Sequence, residues 1–206
     1  MKLFPLFLKL EGRRCLVVGA GSIAESKITG LVDTGSEVVV VAPEARPEIQ
    51  ALAVAKKVEW HKRAFAPADL NGMFLVVAAT SSTAVHQRIF REAHLRGVLC
   101  NIVDVPKLCD FYYPAVVQRG DLQIAVSTAG QSPALAQRLR QELELQFGTE
   151  YPEWLVQLGL SRDAMLAAEL TAAERKERLH AMVTAEAFEE FLRKQKEARE
   201  AGGGEK

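Results

Sequence analysis

Few cysteines, no metal-binding spacing and no excess of either charge mark this chain of 206 residues. The three cysteines, Cys15, Cys100 and Cys109, are odd in number and form no CxxC pair. That excludes a disulfide framework and a zinc knuckle, and it fits a reducing compartment, the cytoplasm. The four histidines, His61, His86, His94 and His180, lack HxH or HExxH spacing, so no dedicated metal site is expected. Lys plus Arg number 26 and Asp plus Glu number 26. Without a basic footprint, sequence-independent nucleic-acid binding is not expected, while a local basic pocket for an acidic small molecule stays compatible. Long apolar runs are missing too. Phe74–Ala79 and Val38–Ala42 have the length of strands, far short of the roughly 20 residues that cross a bilayer. Leu3-Phe4-Pro5-Leu6-Phe7-Leu8 is interrupted by Pro5 and followed by Lys9 and Glu11, with no small-residue cleavage site, so it does not read as a signal peptide.

Hydrophobic residues nevertheless make up 49% of the chain, enough for the core of one large domain or two small ones. Over the first hundred residues, strand and helix signals alternate. Arg14–Val18, Glu37–Ala42, Val58–Trp60, Phe74–Ala79 and Val98–Val103 read as strands. Ser22–Asp33 carries Ala24, Ile28, Leu31 and Val32 on one helical face and is closed by Gly35, and Thr83–Leu95 reads as a second helix. Valine-rich strands separated by helices indicate an α/β fold with a parallel sheet covered on both faces. The rhythm changes after Pro106. Phe111–Gln118 and Leu122–Thr128, joined through Arg119-Gly120-Asp121, read as an antiparallel hairpin. Ser132-Pro133 is a helix-opening pair, and the helix it starts runs to about Phe147. From Pro152 the chain reads as helical and charged, with Phe188, Phe191 and Leu192 on one face of Ala185–Arg199. The Gly202-Gly203-Gly204 tail has the composition of a disordered end.

The chemistry gathers at the turns. Leu16-Val17-Val18-Gly19-Ala20-Gly21-Ser22-Ile23-Ala24 has the form GxGxxA directly after a strand and at the start of a helix. Gly19 permits the tight turn, Gly21 lets the backbone approach a diphosphate, and Ala24 allows close helix–strand packing. The free N–H groups and the helix dipole favour an anion, so the bend reads as a dinucleotide site. At the end of the next strand stands Val41-Ala42-Pro43-Glu44. Two readings of Glu44 stand: a carboxylate for the ribose hydroxyls of NAD, or a solvated loop residue. Arg46 keeps NADP open.

Asp104 follows Cys100-Asn101-Ile102-Val103 at the carboxyl end of a strand, where open parallel sheets bind ligands. It reads either as a general base that takes a proton while hydride leaves the substrate, or as a turn residue ahead of Pro106. Thr128-Ala129-Gly130-Gln131-Ser132-Pro133 is a second small-residue turn opening on a helix. It reads as a carboxylate site supported by Arg138, Arg140, Lys107 or Arg119, or as simple helix capping by Ser132. Cys15 and Cys100 read as core, Cys109 as an exposed loop thiol without an activating histidine, and His86 as a surface residue of its helix.

Together these motifs resemble the precorrin-2 dehydrogenase/sirohydrochlorin ferrochelatase family, the dehydrogenase-chelatase module of siroheme synthases. The resemblance runs from Phe4-Pro5-Leu6-Phe7 to Glu144. It includes Cys15-Leu16-Val17-Val18-Gly19-Ala20-Gly21, Ala78-Ala79-Thr80, Asn101-Ile102-Val103-Asp104, Phe111-Tyr112-Tyr113-Pro114 and Ser127-Thr128-Ala129-Gly130-Gln131-Ser132-Pro133-Ala134-Leu135-Ala136.

What the resemblance implies is a three-part molecule: a Rossmann-like NAD-binding domain over 1–113, a hairpin-plus-helix dimerisation segment over 114–148, and a helical domain over 149–206. It implies a homodimer that oxidises precorrin-2 to sirohydrochlorin with NAD, and in some members inserts ferrous iron to give siroheme. Asp104 matches the family's functional aspartate. Ser22, Ile23, Pro43 and Glu44 match its NAD-contacting positions, and with Gly19, Gly21 and Thr80 they form the expected cofactor set. Thr128, Gly130, Ser132 and Arg138 form the expected substrate set, and Thr128 holds a position that is a phosphorylatable serine in some relatives. The chain departs from the family in Gly19-Ala20-Gly21 for Gly-Gly-Gly, Ser26-Lys27 for Arg-Lys, Ser81-Ser82 for acidic residues and His86 for Asn. No methyltransferase half is expected in it, so uroporphyrinogen methylation falls to another protein. Two further readings differ in class: a non-catalytic NAD-sensing dimer, and a chelatase without dehydrogenase activity.

Overall fold

The structure is a computed structural model that describes residues 2–202. The chain divides into two compact units, Met1–Tyr113 and Pro114–Lys206. The first unit is the expected α/β fold. Strands β1 (Arg14–Val18), β2 (Glu37–Val41), β3 (Val58–His61), β4 (Leu75–Ala78) and β5 (Leu99–Ile102) form one sheet in the order β3-β2-β1-β4-β5. All of its pairings are parallel.

The valine runs explain why the sheet is two-sided. Successive strand side chains point to opposite faces, so Cys15, Val17, Val38, Val40, Leu75 and Val77 meet α1 (Ser22–Val32) and α2 (Pro47–Val54) on one face. Leu16, Val18, Val39, Val41, Val76 and Ala78 meet α3 (Thr83–Arg96) on the other. Ala24, Ile28 and Ile49 seal the first layer and Ile89 and Ala93 the second, all five fully buried. Because β1 lies between β2 and β4, the crossovers reverse direction at its carboxyl end, which opens a crevice there.

Several details differ from expectation. Helix α2 had no sequence expectation; it is short, and Pro47 supplies its first-turn φ. The hairpin starts at Ala115, not at Phe111. Residues 109–111 are drawn to β5 instead: Asp110 N–H donates to Cys100 O (2.7 Å), Cys100 N–H to Asp110 Oδ2 (2.8 Å) and Asn101 Nδ2 to Phe111 O (2.7 Å). Cys109 is half-buried rather than exposed, with its thiol directed at the Ile102 and Val105 carbonyls (3.2 and 3.3 Å). His86 is buried rather than on the surface.

In the second unit, β6 (Ala115–Arg119) and β7 (Leu122–Val126) pair antiparallel around Gly120, whose φ of +58° suits glycine. Helix α4 (Pro133–Gln146) follows, and Arg119 ties the hairpin to its end through the carbonyls of Phe147 (2.8 Å) and Glu144 (3.2 Å). Helices α5 (Tyr151–Ala167), α6 (Ala172–Ala181) and α7 (Ala185–Gly202) complete the unit. Phe188 packs on Tyr151 and Trp154, with ring centroids 4.9 and 4.6 Å away. Gly202 is the last residue of α7, while Gly203 and Gly204 of the expected tail lie outside the described residues. Among the described residues no helix is long and apolar enough to cross a membrane.

Candidate functional site

Four loops leave the same edge of the sheet. Val18 is in register with Val41 on one side and Ala78 on the other, and Ala78 is in register with Ile102. The segments beginning at Gly19, Ala42, Ala79 and Val103 therefore emerge side by side. Backbone bonds fasten them: Gly19 N–H to Val41 O (2.9 Å), Ala79 N–H to Val18 O (2.9 Å), Val103 N–H to Ala78 O (3.0 Å) and Arg46 N–H to Ala20 O (3.1 Å). Gly19, Gly21, Ser22, Ile23, Pro43, Glu44, Thr80 and Asp104 are thus brought to one rim.

Gly19 has a φ of +106°, and a Cβ there would press on the Ala79 carbonyl, 2.9 Å from its carbon. Only glycine fits. Gly21 is different: its φ is −86°, and a Cβ would meet nothing within 4 Å. The space above it is open, and Gly21 is also the N-cap of α1, with no side chain capping the helix. An uncapped helix start under open space fits the diphosphate of a dinucleotide, which accepts the N–H bonds and complements the dipole. Ile23 is 51% exposed, an apolar surface beside that space. Pro43 and Glu44 are exposed, and Trp60 steadies the strand end before them by donating its indole N–H to Ala42 O (3.0 Å).

Thr80 opens a short loop held from beneath. The buried His86 places Nε2 2.8 Å from Thr80 O, and Ser82 caps α3 by accepting from Val85 N–H. The sequence signal for His86 was its place one turn into that helix, but periodicity alone does not tell a buried polar contact from a surface one.

Asp104 is exposed and has a φ of +60°, a left-handed backbone rare for residues other than glycine, asparagine and aspartate. Beside it lies Lys27, which the sequence showed only within a departure from the family, Ser26-Lys27 for Arg-Lys, and not as a site residue. Burial lowers the Lys27 pKa, and the charge of Asp104 partly restores it. The same ammonium lies 3.7 Å from the centre of the Tyr113 ring. Burial pushes the Tyr113 phenol up to about 12, so it stays neutral. Cys100 is likewise pushed up to about 12, by burial first and then by the charges of Asp110 and Cys109, which makes it a core thiol and no nucleophile.

The remaining expected residues, Thr128, Gly130, Ser132 and Arg138, belong to the second unit. Ala129 and Gly130 have φ of +52° and +79°, a paired left-handed bend. Ser132 caps α4 by accepting from Leu135 N–H (3.2 Å), and Thr128 Oγ1 accepts from Ser132 N–H (3.2 Å). Ala129 N–H donates to Ser127 Oγ and Gln131 N–H to Thr128 O. The capping reading therefore accounts for much of the turn, whose N–H groups at 129, 131 and 132 are used within it. Arg138 is exposed and lies 3.6 Å from Glu142. Among the described residues no three His, Cys, Asp or Glu side chains form a group able to hold a metal ion.

Residues 6–115 match a family described as NAD(P)-binding, and residues 119–146 match one described as sirohaem biosynthesis protein, central. Siroheme synthase 1 of Cronobacter sakazakii is 43% identical over 144 residues, which are 70% of this chain and 31% of that protein. The siroheme synthase of Neisseria meningitidis serogroup C is 38% identical over 176 residues, 85% of this chain and 37% of its own length. The chain spans about a third of the length of these curated relatives. Among solved structures, SirC, a precorrin-2 dehydrogenase, matches with a TM-score of 0.77 at 25% identity, over 95% of this chain and 100% of that one.

Proposed function

The chain belongs to the NAD(P)-binding family matched by residues 6–115, and on that premise we propose that it oxidises precorrin-2 to sirohydrochlorin with NAD. The observation that carries the reading is the placement of an exposed carboxylate, Asp104, on the same sheet rim as an uncapped glycine bend. The match of fold to a solved precorrin-2 dehydrogenase over 95% of the chain supports the choice of substrate.

NAD, when bound, supplies the hydride acceptor. In this reading Gly19, Gly21, Ser22 and Ile23 hold the diphosphate, Pro43 and Glu44 take the adenosine ribose, and Thr80 flanks the crevice. The substrate loses two electrons and one hydrogen as hydride, and a second hydrogen leaves as a proton to Asp104. The backbone at 104 is left-handed and its carboxylate is exposed at the rim, where it can accept that proton, with the Lys27 ammonium close by. Thr128, Gly130, Ser132 and Arg138 are assigned to the carboxylates of the tetrapyrrole, with the hydroxyls and the Gly130 N–H as donors. We also assign residues 1–113, 114–148 and 149–206 to cofactor binding, homodimerisation and a helical domain, with ferrous iron as a second substrate and the cytoplasm as the compartment.

The test is anaerobic incubation of the protein with precorrin-2 and NAD. Growth of sirohydrochlorin absorbance together with NADH is expected. Cofactor binding without turnover would identify the chain as a sensor instead. Ferrous iron added to sirohydrochlorin tests iron insertion separately, and light scattering tests the dimer.

A further inference from the structure

Arg46 is the residue that would make this site accept a 2′-phosphorylated dinucleotide, since an arginine just beyond the second strand is the usual partner of that phosphate. The structure shows it already engaged. Its backbone N–H is bonded to Ala20 O, within the glycine bend, and it is the N-cap of α2. From there its Nε reaches back 2.9 Å to Glu25 in the first turn of α1 and lies 3.4 Å from Glu48 in the first turn of α2. Two carboxylates thus hold one guanidinium, and Glu44 stands exposed two residues earlier in the same loop.

We infer that Glu25 and Glu48 are specificity-determining residues: by occupying Arg46 and leaving the loop net negative, they exclude NADP and keep the site for NAD. The inference rests on the reading of the glycine bend as a dinucleotide site. Its logic is charge arithmetic rather than bond strength. Exposed ion pairs of this kind add little to stability, but a 2′-phosphate brings about two negative charges to a place where Glu25 and Glu48 already outnumber Arg46. It would also have to draw Arg46 away from both partners. A ribose with free hydroxyls meets no such barrier, because hydroxyls donate to a carboxylate such as Glu44.

The experiment is calorimetric titration of the whole protein with NAD and with NADP, in the native chain, in Glu25→Gln/Glu48→Gln, and in that pair combined with Arg46→Ala. The native chain is expected to prefer NAD. The double variant should bind NADP about tenfold more tightly while its NAD affinity stays within about twofold. Adding Arg46→Ala should erase the gain. NADP affinity unchanged in the double variant, with NAD still bound, overturns the inference, as does a gain that survives loss of Arg46. Failure of the native chain to bind either nucleotide overturns the dinucleotide site itself. Circular dichroism of each variant separates these results from misfolding.

Discussion

Lys27 holds its ammonium 3.7 Å from the centre of the Tyr113 ring and within the field of Asp104. The aromatic face and the carboxylate both favour the charged amine, while burial opposes it and is the larger effect. The lysine is therefore a cation kept under strain beside the proposed base. Lys27→Gln is expected to lower kcat/KM for the tetrapyrrole by about tenfold with NAD affinity nearly unchanged. Because the Lys27 pKa is lowered, the proposed activity should fall on the alkaline side before the ordinary lysine range. Lys27→Arg should remove that limb. A pH profile of kcat/KM for the three proteins checks it; identical alkaline limbs would discard the role.

The two glycines of the bend should respond in opposite ways. Gly19→Ala forces a methyl against the Ala79 carbonyl on a left-handed backbone and is expected to destabilise the fold by about 2–4 kcal/mol. Gly21→Ala adds a methyl in open space at an ordinary φ, so stability should fall by only about 0.5–1 kcal/mol, the cost of alanine in place of glycine at an N-cap. Its NAD affinity should nevertheless fall by about tenfold or more, because the methyl stands where the diphosphate is proposed to lie. Urea unfolding and calorimetry on both variants provide the comparison.

At Asp104, chemistry and stability should separate. Asp104→Gly relieves the left-handed backbone, so the fold should be retained or gain up to about 1 kcal/mol, while turnover is abolished. Asp104→Asn keeps both the backbone tolerance and the size of the side chain and should be equally inactive. A fully active Asp104→Asn would remove this carboxylate from the mechanism.

A pH-dependent contribution to stability lies away from the crevice. Burial works to raise the Asp69 pKa. The paired hydrogen bonds from Arg63 (2.6 and 2.9 Å), the Ala66 N–H (2.8 Å) and the charges of Arg63 and His61 outweigh it and hold the carboxyl below its usual value. A depressed carboxylate stabilises the fold above its unfolded value and loses that contribution as pH falls through the lowered one. Asp69→Asn should therefore melt about 5 °C lower at pH 7. The gap should close as the pH drops below the usual carboxylate range. A gap independent of pH would assign the effect to shape alone.

The sheet was readable from sequence because burial on both faces demands uninterrupted valine runs such as Val38–Val41, which few other structures tolerate. The glycine bend was readable for the same local reason: strand, turn and helix follow one another within the motif. The start of β6 was not, because Phe111-Tyr112-Tyr113 has strand propensity while Asn101 and Cys100 claim its neighbours for the first sheet. Helix α2 was missed since only Ile49 is buried, and one apolar residue makes no periodicity. The Lys27 and Asp104 relationship, and the engagement of Arg46 with Glu25, join residues distant in the chain, where neither spacing nor composition carries a signal.

The bare beginning of α1 has a consequence for how long the molecule survives. A helix lacking its own cap borrows one from whatever anion arrives, so a tightly held nucleotide adds to the folded state's advantage in proportion to the logarithm of its concentration. If the proposed nucleotide does bind there, its scarcity leaves the chain more open to proteases, coupling its abundance to the nicotinamide supply.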